Sequence, residues 1–78
     1  MNKKAFISNL MIMGFKQRTS TKYDLDFPRY SIEVTVFRQT PLINVVKYVP
    51  GFYEEYDGYT SLPYMAGLRI IDKLIKDE

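Results

Sequence analysis

From Tyr30 to Val36 the chain alternates strictly: Tyr30, Ile32, Val34 and Val36 are apolar, and Ser31, Glu33 and Thr35 lie between them. A period of two is that of a strand with one buried and one wet face. Leu42 to Val49 is a second run rich in β-branched residues, separated from the first by Gln39, Thr40 and Pro41, and the two runs predict a β-hairpin. A two-residue turn at Thr40 and Pro41 is disfavoured, because primed turns need positive φ and proline is locked near −65°. A loop of three to five residues is expected. A four-residue loop pairs Arg38 with Ile43 and Val36 with Val45. It places Lys47 beside Val34 on the buried side, where its stem must snorkel outward.

Two segments carry helical periodicity. Near the start, Phe6, Ile7, Leu10, Met11 and Met13 fall on one arc, with Lys4, Ala5, Ser8 and Asn9 mostly opposite. Asn2 suits the N-cap, and Gly14 suits a left-handed C-terminal closure. At the end, Tyr64, Gly67, Leu68, Ile71, Leu74 and Ile75 form an apolar arc extended by Ile70, opposed by Arg69, Asp72, Lys73 and Lys76. Thr60 or Ser61 is the expected cap, with Pro63 in the first turn. Gly67 lies inside the apolar arc. Its cost of about 1 kcal/mol in helix propensity predicts a close approach of this helix to a neighbour.

Between the first helix and the hairpin, Phe15 to Lys22 reads as a weak strand with Lys16, Arg18, Ser20 and Lys22 on one side. Tyr23 to Arg29 reads as a turn region, where Asp24 and Asp26 accept nearby amides and Pro28 biases Phe27 toward extended geometry. The expected fold is therefore α+β. It has two layers, a helix, an antiparallel hairpin or three-stranded sheet and a second helix (α-β-β-β-α), with both helices on one sheet face. In order of elements alone this resembles double-stranded RNA-binding domains. That resemblance implies a basic cluster opening the final helix to grip phosphates, and the matching positions here, Ser61, Leu62, Pro63 and Tyr64, carry no positive charge.

Length makes 1–78 a single domain of modest stability. The 46% hydrophobic and 15% aromatic content argues against disorder. The lack of cysteine leaves apolar burial to hold the fold and agrees with a reducing, cytoplasmic setting. Lys3 and Lys4 before an apolar run imitate a signal peptide, but Ser8 and Asn9 interrupt the run and no small-residue cleavage site follows. No stretch has the roughly 18 uninterrupted apolar residues of a membrane span. Charge is polarised along the chain. Residues 1–22 hold five bases and no acid, whereas residues 23–78 hold six bases and nine acids.

These patterns bear on function unequally. With no histidine or cysteine, the usual general base, thiolate nucleophile and common zinc ligands are missing. The four glycines are too scattered for a phosphate-binding loop. The D-x-D of Asp24 and Asp26 lacks the further ligands and the turn glycine of a calcium loop. No catalytic site, metal or cofactor is expected, and a small enzyme or enzyme subunit is the least supported class.

Two binding readings compete. In one, the tyrosine-rich acidic loop from Phe52 to Tyr59 recognises a protein partner of basic character: Tyr53, Tyr56 and Tyr59 are anchors, and Glu54, Glu55 and Asp57 must stay wet and steer a cation. In the other, Lys16, Arg18 and Lys22 fall on one side of a strand whose same-face positions repeat about every 6.6 Å, with Ser20 at the one uncharged step, and track nucleic-acid phosphates, although such lysines also protect an edge strand from aggregation. The first reading makes the protein a small inhibitor, adaptor or regulatory accessory protein, the second a nucleic-acid accessory protein. An apolar strip including Phe37 and Val46 on the uncovered sheet face further predicts a homodimer. Small size, many tyrosines and no catalytic motif also form a combination familiar among phage and mobile-element proteins.

Overall fold

The alternating run at Tyr30 to Val36 becomes the middle strand of the sheet. In the computed structural model of the chain, residues 1–49 and 56–76 are described, with the backbone alone at 56 and 57. The elements are α1 (Lys3–Ile12), β1 (Lys16–Gln17), β2 (Lys22–Asp26), β3 (Ser31–Val36), β4 (Leu42–Tyr48), β5 (Tyr56–Pro63) and α2 (Tyr64–Lys76). The sheet is antiparallel in the order β1-β2-β3-β4-β5. The class is α+β, and five strands replace the expected two or three.

The apolar face of the sheet carries Tyr23, Ile32, Val34, Val36, Ile43 and Val45, all buried. Phe6 and Leu10 from α1, Phe15, and Tyr64, Ile71 and Leu74 from α2 complete one continuous core. Each such side chain contributes about 1.5–3 kcal/mol when fully buried. The Phe6 and Tyr64 rings stack at 5.1 Å and join the two helices.

Both ends of α1 form as the residues dictate. Asn2 caps the start, its side-chain oxygen accepting from the Ala5 amide at 2.8 Å. At the other end the Gly14 amide donates to the Met11 carbonyl and the Phe15 amide to the Leu10 carbonyl, with Gly14 at φ 101°. That paired closure needs a left-handed residue, which glycine adopts without strain. The apolar arc is narrower than its sequence suggests, because Met11 is half exposed rather than packed.

In α2 the buried stripe is Tyr64, Gly67, Ile71 and Leu74, with Leu68 on its flank. A methyl group at Gly67 would overlap the Ile43 side chain and sit 3.9 Å from Phe6 Cε1. Gly67 is thus the point where α2 presses on both β4 and α1. Thr60 and Ser61 do not cap this helix. They lie in β5, which takes up Tyr56 to Tyr59 of the expected loop from Phe52 to Tyr59 by pairing them with β4, runs to Pro63 and passes directly into α2.

Three other expectations are corrected. Residues 15–22 are not one strand: β1 ends at Gln17, a turn follows, and Lys22 already belongs to β2. The expected turn at 23–29 is mostly strand, because Tyr23 and Leu25 face the core while Asp24 and Asp26 sit on the open side. The hairpin loop has four residues but falls one residue earlier, at Arg38 to Pro41, after the Phe37 amide bonds the Leu42 carbonyl. Val36 therefore pairs with Ile43 and Val34 with Val45, and Lys47 stands opposite Ile32. A shift of two residues keeps every side chain on its expected face. Lys47 does reach outward, its ammonium lying 4.3 Å from the centre of the Tyr30 ring.

Candidate interaction surface

The sheet ends differently on its two sides, and the predicted site residues divide between them. Residues 49–55 connect β4 to β5. Tyr53, Glu54 and Glu55 lie outside the described residues, as do the side chains of Tyr56 and Asp57. The register nevertheless locates the last two: Tyr56 is opposite Tyr48, and Asp57 is opposite Lys47. Tyr48 is 44% exposed and belongs to the open face with Val46. Tyr59 is half-buried opposite Val45 and packs against the core. Its ring anchors β5 to the rest of the domain and is less available to a partner than its sequence context implies.

The local geometry of β5 has a cause that sequence reading missed. Thr60 and Ser61 together oppose the single residue Asn44, and Ser61 has φ 56°. The Ser61 amide, turned out of the ladder, donates to the Asn44 side-chain oxygen at 3.0 Å. A bulge near a sheet edge twists the strand and ends regular pairing. Together with Pro63, it blunts the C-terminal half of an edge strand.

At the opposite edge two of the three predicted cations are engaged within the protein. Arg18, in the turn after β1, bridges Asp24 (Nε to Oδ2, 3.0 Å) and Asp26 (3.1 Å). Lys22 in β2 approaches Glu33 in β3 at 3.5 Å. The Ser31 hydroxyl donates to Asp26 Oδ1 at 2.8 Å. Lys16, on β1 opposite Asp24, is exposed and forms no ion pair among the described residues. The three residues therefore occupy a strand, a turn and a second strand, not one cationic row. Alternation of Tyr23 and Leu25 with Asp24 and Asp26 was the signal for β2, and an arginine six residues before Asp24 was the signal for the bridge.

Asp24 has a clearly displaced pKa. Burial pushes it above the usual carboxylate value, and Glu33 on the neighbouring strand pushes the same way. Arg18 offsets this only in part. Its Oδ1 is buried and accepts no hydrogen bond from the described residues. Among those residues no group of three or more His, Cys, Asp or Glu is placed to hold a metal ion, and no helix is long and apolar enough to cross a membrane.

A concavity lies where β5 passes into α2. Met1, Pro41, Leu42, Pro63, Tyr64 and Met65 line an open, largely apolar groove of about 340 Å³. Comparison with protein-family models, with curated proteins and with solved structures finds no match for this chain.

Proposed function

We propose that this protein is a small non-enzymatic, cytoplasmic protein-binding module, acting as an inhibitor, adaptor or regulatory accessory protein. It engages a partner of basic character through the β4–β5 end of its sheet. The observation that carries this reading is the rung at which Tyr48, exposed on β4, stands opposite Tyr56 on β5. A tyrosine of each limb thereby occupies the root of the connection that holds Tyr53, Glu54 and Glu55. Tyrosine brings large apolar area with a polar tip and few rotors to freeze, and the adjacent acids steer a cationic partner.

The nucleic-acid reading draws less support. Two of its three cations, Arg18 and Lys22, already face carboxylates, and phosphates approaching them meet Asp24, Asp26 and Glu33 on the same side. A pull-down from source lysate, run with and without nuclease, separates the two. The expected result is a nuclease-resistant protein retained by the wild type and lost with Tyr56→Ala/Glu55→Ala. Capture that disappears with nuclease would favour nucleic acid.

A further inference from the structure

Among the described residues the most exposed large apolar side chain is Ile12, at 84%, and its neighbour Met11 is 51% exposed. Both close α1, and neither is used by the core. At the other end of the same helix, Met1 forms one wall of the apolar groove completed by Pro41, Leu42, Pro63, Tyr64 and Met65. Met65 is itself 49% exposed. An apolar knob and an apolar groove thus sit about 16 Å apart along one helix. Within one molecule they cannot meet.

We propose that α1 forms the interface of a two-fold homodimer in which the Met11–Ile12 knob of each copy fills the Met1–Met65 groove of the other. Two copies of α1 packed antiparallel bring each knob opposite a groove, and one two-fold axis satisfies both contacts at once. Charge supports the same arrangement. Lys3 and Lys4 lie in the first turn of α1, while its last turn has no base and its first turn no acid. Each helix alone has its cations at the wrong end of its dipole. In the antiparallel pair, Lys3 and Lys4 stand beside the other copy's helix C-terminus, where positive charge is stabilising.

Between the two ends Ser8 is small and exposed, which lets the axes approach. The Lys4 stems are covered while their ammonium groups reach outward to solvent, so the expected association is weak. The uncovered sheet face is the poorer dimer surface. Phe37, Val46 and Tyr48 are interspersed there with Lys22, Asp24 and Glu33, two of which form an ion pair across the strands.

Sedimentation equilibrium on the full chain from about 10 µM to about 1 mM tests this. The expected result is a mass rising from monomer toward dimer. Ile12→Glu and Met65→Lys should each weaken association by at least about tenfold, while circular dichroism shows the fold retained, since both side chains are exposed. The combined Ile12→Glu/Met65→Lys protein should recover dimerisation, because each introduced carboxylate then faces an introduced ammonium. A wild type that stays monomeric throughout, an Ile12→Glu protein that dimerises normally, or a double variant no stronger than the singles would each overturn the proposal. So would loss of the dimer with Val46→Lys alone.

Discussion

The two ends of the sheet are built from different materials. At the β4–β5 end, α2 lies directly on the strands, and Gly67 lets its backbone press against Ile43 with nothing between. At the β1–β2 end the edge strand is two residues long, and its turn is fastened by Arg18 to Asp24 and Asp26 on the open face. Apolar contact is close-packed and intolerant of added or lost volume, whereas exposed ion pairs are worth about 0–1 kcal/mol and are screened by salt. The packed end can therefore hold β4 and β5 in a fixed place. The charged end can be remade at little cost.

The largest effect expected of that contrast is at Ile71. It is fully buried at the centre of the α2 stripe, and Ile71→Ala should cost about 2–5 kcal/mol, a large part of the stability of a domain this small. Urea denaturation reads it directly. Leu68→Ala, on the flank, should cost less. An Ile71→Ala protein with an unchanged midpoint would remove the packed end from the account.

Gly67→Ala comes next. Helix propensity favours alanine by about 1 kcal/mol, but the added methyl overlaps the fully buried Ile43 side chain. Overpacking of this kind costs about 1–3 kcal/mol, so net destabilisation is expected. Ile43→Val made together with Gly67→Ala should recover part of the loss by removing the clashing atom. Two purely additive effects would mean that the contact is not the cause.

Asn44→Ala tests the bulge. It leaves the exposed Ser61 amide to water and removes the bond that compensates a left-handed serine, for an expected cost of about 0.5–1.5 kcal/mol. Hydrogen exchange at the Ser61 amide should accelerate in the variant. If Asn44→Ala leaves both stability and that amide unchanged, the bulge is held by something else.

The smallest effect belongs to the charged end and is visible as a pH dependence. Asp24 has its pKa raised by burial and by Glu33, so the folded state binds this proton more tightly than the unfolded chain does. The stability associated with it is present at low pH and is lost as pH rises through the raised value. At pH 7, Asp24→Asn should therefore lie within about 1 kcal/mol of the wild type, since relief of a partly desolvated charge offsets the weakened bridge to Arg18. As pH falls from neutrality toward 3.8, the usual carboxylate value, the balance should move in favour of the wild type. Movement the other way would make Arg18, not burial, the dominant influence on Asp24.

The same contrast explains what was legible in the sequence. Local signals were reliable where the cause is local: Asn2 and Gly14 bound α1, the alternation at Tyr30 to Val36 gave β3, and Gly67 announced a close approach. Long-range causes were hidden. Asp24, Asp26 and Pro28 looked like a turn because the arginine that lets two aspartates line a strand lies beyond a turn in sequence. Gly58 and Pro63 disguised β5, since both are poor strand residues except at an edge, and edge position is a property of the whole sheet. The hairpin register depended on Phe37 bonding to Leu42, which no periodicity specifies. Of the candidate site, the chemistry of the acidic tyrosines was readable. That Tyr59 would be spent on the core and that Arg18 and Lys22 would be paired was not.

The central functional claim is that partner engagement lives at the β4–β5 end. Calorimetry with the captured partner on two double variants tests it most directly. Tyr56→Ala/Glu55→Ala should weaken binding by about 2 kcal/mol or more, and Lys16→Ala/Arg18→Ala should change it by less than about 0.5 kcal/mol. Loss of affinity from the lysine and arginine pair alone, with nucleic acid as the bound species, would contradict the claim.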